Sequence, residues 1–178
     1  LSVVAGIGAD DAQDELKDPS DVAMSVLDRM QTAFTAGTNI VGLSSGYANV
    51  DKMTGGFREG DLIIVAARPS MGKSTFCLNI AENVALLSDK PEPVLFISLE
   101  MPAEQLMQKT IARAGNLMLS KVLNGQAMGT DYDVARVGTA LEIVKRNSKF
   151  LRIDDKGGQH ISQIQARAKR AAMKMGGL

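Results

Sequence analysis

The chain has 178 residues, enough for one sizeable core, with 20 basic and 20 acidic side chains in formal balance. Its one cysteine, Cys77, excludes an internal disulfide and suits a reducing cytoplasm. No apolar run approaches membrane-spanning length and no signal-peptide pattern is present, so no membrane partner is expected. The charge is unevenly spread. Residues 1–61 carry ten acidic and four basic side chains, and residues 145–178 carry nine basic and two acidic. The basic end could touch nucleic acid, but such a run is more often the solvated face of a helix, and that reading is preferred. A chain that opens on Leu1 rather than Met reads as a piece of a longer one.

Residues 1–18, with Asp10, Asp11, Asp14 and Glu15, read as a flexible acidic linker. A helix follows over residues 19–36, with Ser20 as its expected N-cap, Asp21 in the first turn and Gly37 at its stop. Val22, Ala23, Val26, Leu27, Met30, Ala33 and Phe34 form one apolar stripe. That stripe needs a cover, either its own domain or a neighbouring subunit. The flexible-looking segment after it favours the neighbour. Gly42 to Tyr47 and Asn49 to Phe57 are rich in turn residues.

Leu62 to Ala66 is expected to be a buried strand. Arg68-Pro69-Ser70-Met71-Gly72 breaks its period, and an amphipathic helix then runs from Lys73 to about Leu87. Val94 to Leu99 reads as a second buried strand, and Pro102 suits the first position of a helix to about Ala114. Residues 116–129 read as loop or short helix. A further helix opens at Asp131 or Asp133 and passes through Val144. Phe150 to Ile153 is a third strand, ending at Asp154-Asp155, and Ile161 to Met175 is a basic amphipathic helix. Strand–helix alternation of this kind predicts an α/β fold, a parallel sheet flanked by helices, with ligands beyond the carboxyl ends of the strands.

Ala67 to Thr75, set between strand and helix, has the spacing of a phosphate-binding loop (P-loop), with Ala67 where the strict pattern has glycine. Backbone N–H groups at a helix N-terminus attract phosphate oxygens. The expected nucleotide-binding set is therefore Ser70, Met71, Gly72, Lys73, Ser74 and Thr75. Lys73 is expected to meet the β- and γ-phosphates, and the Ser74 hydroxyl to ligate Mg²⁺. Glu100, at the end of a strand, is placed to activate an attacking water. It could equally be an acid favoured by the dipole of the helix after Pro102. Asp154-Asp155 has the look of a Walker B end, but Arg152 interrupts the apolar run before it, and that reading is the weaker one. Cys77 is read as core packing.

Gly42 to Phe57, the run Ala67-Arg68-Pro69-Ser70-Met71-Gly72-Lys73-Ser74 and above all Ser98-Leu99-Glu100-Met101-Pro102 resemble the RecA-like C-terminal domain of the DnaB-type replicative helicases. The resemblance extends from about Pro19 to the end. It implies a RecA-like domain over residues 37–178, incomplete at its C-terminal end. It implies ATP with Mg²⁺ as cofactors, and Lys73 and Glu100 as the catalytic residues. Asp154 would be a poor metal ligand, because the family's Walker B Asp comes one strand later. The helix at 19–36 would be a linker helix joining a homo-hexamer. Single-stranded DNA would be the track, followed 5′–3′. Primase and a helicase loader would bind through segments outside this chain. The Walker B Asp, the DNA-contacting loops and the arginine finger would lie beyond Leu178, so the isolated chain is expected to be a poor enzyme. Two other readings stay open: another RecA-superfamily ATPase, and a nucleotide-binding loader or interaction module that does not unwind DNA.

Overall fold

The computed structural model describes residues 18–36 and 41–176. They fall into two compact units, one within Val4–Asp61 and one running on from Leu62.

The first unit begins with α1, Pro19–Ala36. Its cap is Asp18, not the expected Ser20: the Asp18 carboxylate accepts from the Ser20 amide at 2.8 Å and from the Ser20 hydroxyl at 2.6 Å. The reason is Pro19. Its fixed φ and missing N–H suit the first helical position, so the cap falls one residue earlier. The described side chains of the apolar stripe are exposed, from Val22 at 42% to Phe34 at 89%. The expected stop at Gly37 and the acidic linker lie outside the described residues.

Where the sequence suggests only turns, a short helix forms, α2 (Ala48–Thr54). A carboxylate knot holds it. Buried Asp51 accepts from the Ser44 hydroxyl at 2.6 Å, and from the Ser45 amide and hydroxyl, both at 2.7 Å. Burial alone would raise the Asp51 carboxyl, but these serine bonds and the Gly46 amide outweigh it and hold the group below the usual carboxylate range. Leu43 and Phe57 close the unit with an isolated antiparallel bridge. The strands of that bridge pass so closely that a Cβ on Gly42 would sit 2.5 Å from the Phe57 carbonyl oxygen.

The second unit holds the sheet. β1 (Val94–Ile97) and β2 (Leu151–Asp154) pair in parallel, in the register Val94 with Leu151 through Ile97 with Asp154. Around them stand α3 (Lys73–Glu82), running into a π turn at Asn83–Leu87, then α4 (Ala103–Ala114), α5 (Leu119–Leu123), α6 (Asp131–Asn147) and α7 (Ile161–Met175). Leu78, Ala81, Ala85 and Leu86 meet Phe96 of β1, Leu106 of α4 and Leu151 of β2 in one apolar core. Each large side chain there contributes about 1.5–3 kcal/mol by leaving water. Cys77 packs at the edge of this core, as expected. Polar ties lock the layers. Glu82, 2% exposed, pairs with Arg113 at 2.8 Å and accepts from the Thr110 hydroxyl at 2.6 Å, joining α3 to α4. The Asn147 amide donates to the Leu86 carbonyl at 2.7 Å, joining α6 to the π turn.

Two local expectations change. Pro102 is the N-cap of α4, with extended ψ of 152°, rather than its first helical residue. Leu62 to Ala66 is not a strand. Its Ile63 and Val65 are half-buried, whereas Leu62 and Ile64 are exposed at 71% and 80%. Among the described residues no strand runs beside it, so its amides and carbonyls have no ladder to join.

Candidate functional site

The loop from Ala67 to Gly72 leads into α3. The Met71 amide donates to the Arg68 carbonyl at 3.2 Å, with Pro69 and Ser70 as the central residues of the turn. Ser70 has φ of +65°. Proline followed by a positive φ is the pattern of a type II turn, whose third position usually takes glycine. Ser70 therefore holds a conformation that costs it energy, and such residues gather at binding sites. Ala67 is not among the positive-φ residues, so its methyl group is accommodated in place of the pattern's glycine. Gly72 caps α3 with φ of +82° and no side chain to offer. The first amide taken up by the helix is that of Phe76, which donates to the Gly72 carbonyl at 2.8 Å. The N–H groups of Lys73, Ser74 and Thr75 thus end the helix without a capping acceptor, and the helix dipole adds to their pull on an anion.

A cavity of about 130 Å³ opens at this end of α3, lined by Lys73 and Ser74 on one side and by Ile97 to Met101 on the other. The structure therefore brings together Lys73, Ser74 and Glu100, residues up to 27 positions apart in sequence. Ser70 and Met71 sit exposed on the loop that leads in, and Thr75 is half-buried one residue past Ser74. Lys73 forms no ion pair among the described residues.

Glu100 is exposed, on a turn tied at three points. The Ser98 amide donates to the Asp154 carbonyl at 2.8 Å. The Ser98 hydroxyl donates to the Met101 carbonyl at 2.7 Å and accepts from the Met101 amide at 3.1 Å. The Ala103 amide donates to the Asp155 carboxylate at 2.7 Å. This last bond bears on the alternative reading of Glu100. The acid that bonds the first amide of α4 is Asp155, while Glu100 is among the residues that line the cavity with Lys73 and Ser74.

Asp154 is committed elsewhere. It pairs with Arg167 of α7 at 2.7 Å and accepts from the Lys156 amide at 3.2 Å. Burial would raise its carboxyl, yet the Arg167, Lys156 and Gln159 contacts hold it below the usual range. Burial pushes the Cys77 thiol up, away from nucleophile chemistry. Among the described residues no three His, Cys, Asp or Glu side chains cluster as a ready metal site. A cation here would rest on the Ser74 hydroxyl and on oxygens brought by a ligand. Two roles escaped sequence reasoning: that of Asp155, a bond across 52 residues, and that of Lys109, whose ammonium donates to the Thr75 hydroxyl at 3.0 Å. Neither carries a local signal.

A parallel β–α order with an uncapped glycine-led helix and a carboxylate at the next strand end defines a RecA-like α/β domain. The family described as the DnaB-like helicase C terminal domain matches residues 42–178, and the chain belongs to that family. It is 44% identical to the replicative DNA helicase DnaB of Pasteurella multocida (strain Pm70) over 145 residues, 81% of this chain and 30% of that one. A solved ATPase domain superposes with a TM-score of 0.77 at 27% identity, covering 90% of this chain and 54% of that one. A DnaB-like replicative helicase, solved with its interactions with primase, superposes with a TM-score of 0.73 at 26% identity, covering 90% and 36%. The chain thus spans about a third of the length of the curated relatives it matches.

Proposed function

We propose that this chain is the nucleotide-binding part of the motor of a ring-forming DNA helicase of replication, driven by ATP hydrolysis. The observation that carries the reading is the meeting of Lys73, Ser74 and Glu100 on one cavity at the N-terminus of α3. The backbone from Ser70 to Thr75 receives the phosphate chain, and Lys73 neutralises its β/γ end. Ser74 would hold Mg²⁺, which when bound supplies charge neutralisation on the phosphate oxygens. Glu100 takes the proton of the attacking water or orients it. Asp154, held by Arg167, is not offered as a second metal carboxylate.

The rest of the assembly follows from family membership and from the surface of α1. Residues 1–18 act as a linker, residues 19–36 as a linker helix and residues 37–178 as the ATPase domain. The exposed stripe from Val22 to Phe34 docks on a neighbouring subunit of a homo-hexamer. The ring moves 5′–3′ on single-stranded DNA, with primase and a loader as partners through segments outside these residues. One solved neighbour is described with primase, which supports that partner. No helix among the described residues is long and apolar enough to cross a membrane.

The test is nucleotide binding and turnover in the full-length protein. Lys73→Ala is expected to abolish both while the fold survives. Glu100→Gln keeps the shape but cannot take up a proton, so ATP still binds and turnover falls roughly 10²–10⁴-fold. Unchanged turnover in Lys73→Ala would remove the assignment. Parallel loss of binding and turnover in Glu100→Gln would make Glu100 structural.

A further inference from the structure

Lys109 lies on α4, half-buried and without a carboxylate within ion-pair distance among the described residues. Its ammonium has two neutral acceptors: Thr75 Oγ1 at 3.0 Å and Met101 Sδ at 3.7 Å. One is in the first turn of α3 and the other follows Glu100 directly. Met101 lines the cavity, and Thr75 follows Ser74 of its opposite wall, so one cation joins the two segments that carry those walls. A half-buried ammonium with only neutral partners is a favourable neighbour for an anion. Donor counting adds a second point. A lysine ammonium only donates, so Thr75 Oγ1 is the acceptor, and the threonine keeps its own O–H to give. No other hydrogen bond of the Thr75 side chain is present among the described residues. Phosphate oxygens only accept.

We infer that Lys109 is a positioning residue of the nucleotide site: it fixes and polarises the Thr75 hydroxyl as a donor to a phosphate, and ties α3 to the turn that carries Glu100. The inference rests on the nucleotide reading of the site and adds a second cation to it. Hydrogen bonds in such a chain strengthen one another, so loss of the ammonium weakens what Thr75 can offer.

The experiment titrates the full-length protein with a fluorescent N-methylanthraniloyl-ATP in the presence of Mg²⁺, with Lys109→Met, Lys109→Arg, Thr75→Val, Thr75→Ser and the Lys109→Met/Thr75→Val pair. Lys109→Met is expected to weaken binding roughly tenfold, the scale of one charge-assisted hydrogen bond. Lys109→Arg restores most of it. In the Thr75→Val background Lys109→Met has no further effect, because the group it acts through is gone. A purely structural lysine would give multiplying effects and no rescue by arginine, and either result overturns the inference. So does wild-type affinity in Lys109→Met. If that variant does not fold, the threonine pair decides: Thr75→Ser must bind as wild type and Thr75→Val must not. Wild-type protein that fails to bind the probe at all, or Lys73→Ala that binds it unchanged, overturns the nucleotide reading itself and this inference with it. Binding lost in Lys73→Ala but untouched in Lys109→Met overturns the Lys109 role alone.

Discussion

Asp155→Ala tests how the Glu100 turn is held. The substitution removes one of the three ties on that turn, the 2.7 Å bond from the Ala103 amide to the Asp155 carboxylate. The bond does the work of an N-cap for α4, delivered from the end of β2. Replacing a capping acceptor by alanine costs about 0.5–2 kcal/mol. Asp155 is solvent-exposed, which favours the lower half of that range, about 1 kcal/mol. For a chain of this size that lowers the melting temperature by about 2–4 °C. The Ser98 ties remain, so the turn loosens without unfolding. The catalytic effect should exceed the stability effect, because a carboxylate displaced by about 1 Å can lose on the order of 10²-fold in rate. Asp155→Asn keeps an acceptor oxygen and should recover most of both losses. Melting by circular dichroism and steady-state ATP turnover of the full-length protein, measured side by side, check this. Equal turnover in Asp155→Ala and wild type would refute the idea that the bond positions Glu100. A fall in which asparagine fares no better than alanine would assign the effect to charge instead.

Arg113→Met strands the buried Glu82 carboxylate with only the Thr110 hydroxyl. Breaking one side of such a pair costs about 3–5 kcal/mol, and Arg113 is itself 29% exposed, so the lower end applies. A melting temperature roughly 6–12 °C lower is expected, and Glu82→Gln added to Arg113→Met should recover part of it. Asp51 gives a pH signature. Its folded carboxyl titrates below its unfolded value, so its stabilising effect is complete above the unfolded value and disappears as pH falls through the folded one. Protection of the Ser45 and Gly46 amides, measured against their intrinsic exchange rates, should therefore fall below about pH 4, and Asp51→Asn should flatten that dependence. Polar residues at Leu27 and Phe34, 54% and 89% exposed, should leave the fold intact but dissociate the full-length ring in sedimentation. A ring indifferent to both changes would remove α1 from the subunit contact.

Much of the architecture is legible because it repeats. The apolar runs of β1 and β2, the 3.6-residue period of α4, α6 and α7 and the glycine before Lys73 are local signals, and each element forms where its pattern lies. Leu62 to Ala66 carries an equally strong strand pattern and does not become one. Strand propensity describes side chains that fit a pleated surface, whereas a strand exists only when a neighbour pairs with its backbone. The sequence of the segment itself holds no information about that neighbour. Ser20 misled for a related reason. Cap preference is a ranking of residue types, and Asp18 is as good a cap as Ser20. Pro19, which can take only the first helical position, decides between them.

The site divides along the same line. Lys73, Ser74 and Glu100, the residues expected to meet a nucleotide, line one cavity, and they stand out in sequence because the loop pattern and the strand end are local signals. Their supports do not, because a support needs only a donor or an acceptor at the right place. Asp155 and Lys109 could each be replaced, in principle, by other residues of matching hydrogen-bonding capacity, so neither leaves a motif. The Asp154-Asp155 pair shows this most clearly. In sequence the two acids look alike and invite one shared role. In the fold one is bound to Arg167 of the helix that follows, and the other reaches the first amide of the helix that carries Lys109. Between them they fix the end of β2 against both α7 and α4. The turn that carries Glu100 is thereby tied to the end of β2, through the Asp155 carboxylate and the Asp154 carbonyl.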